Sequence, residues 1–182
     1  MLPAATASVL FPRISSLSSS EADDLTPKIT RNNFFLVFLG SLVLLILVKP
    51  AILILFGRAF LPALLPFLIL LPGTIVLGGT KTIAADLAGR GRPQIGTYAA
   101  ALSLILTVFL NLWLIPKWGI AGAAVASSLS YGLAGLVLVA FFHKFSGKPW
   151  REIVFLKRRD FQDYKEFLMK HSRILRFEAS EK

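Results

Sequence analysis

The chain has 182 residues, 55% of them hydrophobic and only 16% charged, with a mean hydropathy of +0.69. A soluble globular domain carries about a quarter charged residues, so this composition excludes one and makes the bilayer the chain's solvent. The net charge of +10 does not point to nucleic acid, because the basic residues flank apolar segments instead of interleaving with aromatics on one surface.

In chain order, Leu2 to Phe11 is apolar but too short to cross a bilayer, and it ends in Pro12-Arg13 like the cytoplasmic exit of a longer helix. The expectation is a sequence that begins inside a transmembrane segment, with an interfacial anchor as the alternative. MLPAATASVLFPR lacks the basic n-region of a signal peptide. Four segments then supply the ~20 apolar residues of a span: Asn33 to Gly57, Phe60 to Thr80, Ile95 to Ile115 and Gly119 to Phe142. Thr26 is placed to cap the first helix, with Pro27 in its first turn, and Lys49 sits near the far end, where its ammonium can snorkel.

Prolines 62, 66 and 72 and glycines 73, 78 and 79 fall in the second segment, which predicts a kinked or locally unwound helix. Between the last two segments lies NLWLIPKWGIAGAAVASSLSY, Asn111 to Tyr131. It predicts a membrane hairpin that turns at Pro116 to Gly119. Small residues recur four apart at Gly119, Ala123 and Ser127, and one stripe over at Gly122, Ala126 and Ser130, a spacing that lets two helix backbones approach closely in lipid. After Phe142, Phe161, Tyr164, Leu168, His171 and Leu175 recur at helical spacing beside Lys165, Lys170, Arg173 and Arg176. This predicts an amphipathic helix on an anionic leaflet or beneath the bundle.

The reading is an all-α, multi-pass bundle of four full spans plus the end of a fifth. It divides into 1–25 (end of a helix and loop), 26–143 (four-helix region) and 144–182 (basic tail). All the Lys and Arg except Lys49, Arg58 and Lys117 fall on one side of those spans. The positive-inside rule then puts both termini in the cytoplasm of a protein of the inner (plasma) membrane. The absence of cysteine removes a disulfide framework and thiolate metal sites and agrees with that placement.

No catalytic constellation is present: Asp86 is the one carboxylate between Asp24 and Glu152, so no carboxylate pair can do acid-base work near the membrane core. The chain reads as a non-enzyme with no cofactor and no metal. DLAGRGRP, Asp86 to Pro93, is faintly similar to a loop of membrane CDP-alcohol phosphotransferases, but the later aspartates that hold metal there are missing. His143 and His171 have no partners at ligand spacing, and the Gly89 to Arg92 stretch has no strand-to-helix phosphate-loop context. Lys81, Arg90 and Arg92 form a basic patch at the mouth of the second and third helices. It serves either the charge rule and lipid headgroups or bidentate binding of a pyrophosphate. Asn111 and Ser103 are polar groups on the third helix, suited to a substrate or to neighbouring helices.

LFPRIS (10–15), LFGRAFLPA (55–63), AGRGRP (88–93) and above all the 111–131 stretch resemble, in this order, the C-terminal part of polysaccharide and O-antigen flippases. These are members of the multidrug, oligosaccharidyl-lipid and polysaccharide exporter superfamily. The resemblance implies the last four helices of a two-lobe exporter that moves polyprenyl-pyrophosphate-linked oligosaccharides for surface polysaccharide (O-antigen, lipopolysaccharide) biosynthesis. Within that reading the residues themselves suggest Lys81, Arg90 and Arg92 for an anionic headgroup, Asn111 for a substrate contact, and Gly119, Gly122, Ala123 and Ser127 for helix packing. The implied partners are the lipid-linked oligosaccharide, membrane lipids and an N-terminal lobe or another membrane protein. A multidrug or cation exporter of the same superfamily and a non-transporting membrane interaction subunit are the alternatives.

Overall fold

The computed structural model describes residues 19–154, and the regular elements within them are all helical. Helix α1 is Ser19–Leu55, a 3-10 segment follows at Arg58–Ala63, and α2 is Leu64–Gly89; α3 is Pro93–Ser146 and the short α4 is Trp150–Val154. Among the described residues three stretches, Asp23–Leu55, Arg58–Gly89 and Pro93–Ser146, are long and apolar enough to cross a membrane. The LFPRIS motif and the amphipathic stripe from Phe161 to Leu175 lie outside the described residues.

A straight helix of the length of α3 would extend ~81 Å at 1.5 Å per residue. Instead the chain reverses at Gly119, whose φ of 56° and ψ of −133° are non-helical. The reversal brings distant residues together: the Ser103 hydroxyl donates to the Ser130 carbonyl at 3.0 Å, and Gly122 abuts the Leu114 carbonyl. Residues 93–118 and 120–146 are therefore antiparallel arms of a hairpin. The expected four-residue turn narrows to one residue, since the helix continues through Pro116 to Trp118. A positive φ with that ψ is strained for side chains with a Cβ, so glycine is the residue that concentrates the reversal in a single position without that cost.

Two expected boundaries move. The first helix does not start at Thr26: α1 begins by Ser19, Pro27 is interior, and the Thr26 side chain is buried against α2 instead of capping. The loop expected from Lys81 onward is also helical as far as Gly89, because the alanine- and leucine-rich stretch Ala84 to Ala88 favours helix and one face of it packs against α1. Only Arg90 to Arg92 connects α2 to α3. There the Arg92 N–H donates to the Leu87 carbonyl (2.9 Å) and the Gly91 N–H to the Ala88 carbonyl (3.0 Å), a Schellman stop with Gly91 at φ 75°. Pro93 then opens α3 at a position where its missing N–H costs nothing.

The unwinding expected in the second segment is confined to its start, where Pro62 lies in the 3-10 segment; α2 runs on through Pro72. Next to that proline, the Gly73 N–H donates to Ser128 Oγ at 3.0 Å. Gly135 meets Val76 and Thr80 further along, so α2 and the second arm of α3 run parallel. At their charged end Ile83, Leu87, Ile95, Ala99, Leu138, Val139, Phe142 and Ile153 form one apolar cluster shared by α2, both arms of α3, and α4. Apolar side chains also cover the outside, with Ile46, Ile54, Ile105 and Leu112 all strongly exposed. That surface matches a hydrocarbon solvent.

Candidate functional site

The charged end of the bundle is organised around Asp86, a carboxylate with no exposed surface. Thr26 and Thr30 lie one turn apart on α1, and Thr82 and Asp86 one turn apart on α2, so each helix presents two polar side chains on one face. The helices run antiparallel and the two pairs meet. Thr26 Oγ1 donates to Asp86 Oδ1 at 2.7 Å, and the Thr30 and Thr82 hydroxyls are 2.8 Å apart. Thr82 also donates to the Gly79 carbonyl at 3.2 Å, which makes Thr30 the donor to Thr82. One turn further on, Phe34 lies against Gly79.

Arg90, at the end of α2, closes the seam. Its Nη1 donates to Asp23 Oδ1 at 2.6 Å and its Nη2 to Asp86 Oδ1 at 3.1 Å, while Nε and Asp86 Oδ2 form an ion pair at 2.8 Å. One guanidinium thus pairs with two carboxylates from two helices, and its Cζ lies 5.7 Å from the centre of the Phe142 ring. The segment after α3 joins the same end: Lys148 Nζ pairs with Asp24 at 2.6 Å, and the Arg31 guanidinium donates to the Glu152 carbonyl. The hydrogen bond to Asp24 holds the Lys148 ammonium above its ordinary pKa. His143 Nδ1 contacts the Lys148 carbonyl at 2.6 Å, which fixes the turn between α3 and α4.

Chemically this arrangement ties α1 to α2: Asp86 Oδ1 accepts from a hydroxyl and a guanidinium, and its Oδ2 is ion-paired with the Arg90 Nε. Of the residues expected to bind substrate, Lys81, Arg90, Arg92 and Asn111, only Arg90 belongs to it. Lys81 is exposed on α2, and Arg92 is exposed with its guanidinium 3.8 Å from the Phe145 ring centre. Asn111 lies on the first arm of α3, ~27 Å along the helix from Pro93, with its Oδ1 buried and without a partner. The four residues therefore do not converge. In the hairpin, Gly119 makes the reversal and Gly122 the close contact; Ala123 and Ser127 are half-buried, whereas Ala126 and Ser130 of the neighbouring stripe are fully buried.

Sequence reasoning gave Thr26 only a capping role and passed over Thr30 and Thr82, because a lone Thr in a membrane helix is unremarkable. The signal that could have found them is the matched four-residue spacing, Thr26/Thr30 and Thr82/Asp86, on segments predicted to be neighbours.

No family model matches the chain, and no solved structure matches it. Among curated proteins it is 29% identical over 133 residues to the probable low-salt glycan biosynthesis flippase Agl15 of Haloferax volcanii, covering 71% of this chain and 28% of the relative. It is also 29% identical over 124 residues to the uncharacterized membrane protein MJ1068 of Methanocaldococcus jannaschii, covering 64% of this chain and 24% of that protein. The chain thus spans about a quarter of the length of the curated relatives it matches. Helices and relatives together identify a multi-pass membrane protein.

Proposed function

We propose that this chain is part of a membrane transporter that flips lipid-linked oligosaccharides, polyprenyl-pyrophosphate-linked glycans in particular, across the cytoplasmic membrane. The observation that carries the proposal is the 29% identity over 133 residues to a protein named as a glycan biosynthesis flippase. The 111–131 hairpin motif points the same way, to the polysaccharide branch of the exporter superfamily. With the two arms of α3 counted separately the chain crosses the bilayer four times, each arm of about 26 residues being ~39 Å long against a ~30 Å hydrocarbon core. Both ends of the described residues then lie on the side where Arg90, Arg92 and Lys148 cluster, which the charge rule makes cytoplasmic.

In this reading Arg92, exposed at that face, and Lys81, exposed further back on α2, meet the anionic headgroup, Arg90 fixes the helix ends, and Asn111 contacts substrate. The complete carrier pairs this half-bundle with a second lobe, and alternating access moves the sugar through a polar cavity between the two.

The test is a deletion strain. Loss of surface glycan with accumulation of the lipid-linked precursor is the expected result. A strain that keeps its glycan and becomes sensitive to cationic drugs would overturn the assignment in favour of drug export.

A further inference from the structure

Helix α1 contributes nothing to the apolar cluster, whose members come from α2, α3 and α4. Between Asp23 and Phe34 the residues that α1 buries are Thr26, Pro27, Thr30, Arg31 and Asn33, and beyond them only Ser41 and Val48 are buried. The fully buried side chains of α1 are therefore mostly polar, and Phe34 against Gly79 adds an apolar contact further along. The polar contacts of α1 with its neighbours lie at the end where Asp24 is 77% exposed in its ion pair with Lys148, the end that water reaches.

The two interfaces at this end differ in what opening them costs. Water entering the α2·α3 cluster would hydrate apolar side chains and lose their whole burial free energy. Water entering the α1·α2 seam would replace hydroxyl and carboxylate hydrogen bonds with hydrogen bonds to water, an exchange near balance for each bond and for the ion pair. Further along α1, Gly40 has open space around it and the Ser41 hydroxyl bonds back to the Val37 carbonyl at 2.8 Å, an arrangement that bends helices.

We propose that the α1·α2 seam is a water gate. It opens at the charged end as α1 swings about Val37 to Ser41, exposing a polar cleft lined by Thr26, Thr30, Asn33, Thr82 and Asp86, while the α2·α3 cluster stays shut. This goes beyond the transport reading and stands on the contacts of α1 alone.

The chain has no cysteine, so single substitutions report without background. Thr82 and Ile83 are neighbours with no exposed surface, one in the seam and the other in the apolar cluster. The full chain in native membranes, as Thr82→Cys or Ile83→Cys, is treated with a membrane-impermeant maleimide supplied to each face in turn. Labelling of Thr82→Cys at least tenfold faster than Ile83→Cys, from one face only, is expected, and Thr30→Cys should follow Thr82→Cys. Oxidising a Thr30→Cys/Thr82→Cys pair should form a cross-link, showing that the seam variants keep the native register. Cross-linking with Thr82→Cys and Thr30→Cys as protected as Ile83→Cys would overturn the gate, and so would equal rapid labelling of all three.

Discussion

Asp86 carries more of the helix pairing than any other single side chain. Asp86→Ala would leave the Thr26 hydroxyl without its acceptor and Arg90 with Asp23 alone. Breaking a buried ion pair costs about 3–5 kcal/mol, and the low end applies here because the Arg90 side chain keeps 18% of its surface and its second carboxylate. Thr30→Val removes one neutral hydrogen bond at nearly constant volume and should cost about 1 kcal/mol. Thermal unfolding in one detergent should therefore rank Asp86→Ala well below Thr30→Val. Equal midpoints would mean that the carboxylate is not the organising group.

At the scale of the element, the α3 hairpin separates two ways of failing. Gly119 has nothing within 4 Å of a would-be Cβ, so Gly119→Ala meets no clash and incurs only backbone strain of about 1–3 kcal/mol. Gly122→Leu would drive a side chain into the Leu114 carbonyl and push the arms apart. A Ser103→Cys/Ser130→Cys cross-link should form in the Gly119→Ala background and be lost in Gly122→Leu. Retention in both would show that the arms are held from outside the hairpin. This hairpin was readable from the sequence because proline, glycine and a stripe of small residues mark a reversal and a close contact locally. The N-terminal half of α1 was not, since Thr26-Pro27 has the chemistry of a helix start and only the position of Asp86 on another helix shows that the hydroxyl is used elsewhere. Lys81 to Gly89 was misjudged for a related reason: its charges resemble a loop, whereas Asp86 and Arg90 neutralise each other one turn apart. Arg90 stood out as a cation; that it faces inward could not be read from one segment.

For the whole molecule, the described helices carry an apolar surface outside as well as an apolar cluster inside, with the polar contacts gathered in the α1·α2 seam. Ile46, 73% exposed midway along the apolar stretch of α1, should accept Leu without effect. Ile46→Lys should penalise insertion by about 2.5–3.5 kcal/mol, read as loss of protein from the membrane fraction. Undiminished membrane levels would show that this face meets water or a polar partner. The joint between α2 and α3 has a last consequence. Three residues, Arg90 to Arg92, reach at most ~11 Å, about a third of the hydrocarbon thickness. The end of α2 and the start of α3 must therefore emerge on the same face, and the Gly57 and Gly119 joints are as short. The sidedness of every described segment is in effect a single binary choice, so one reporter at any joint reads the orientation of all of them.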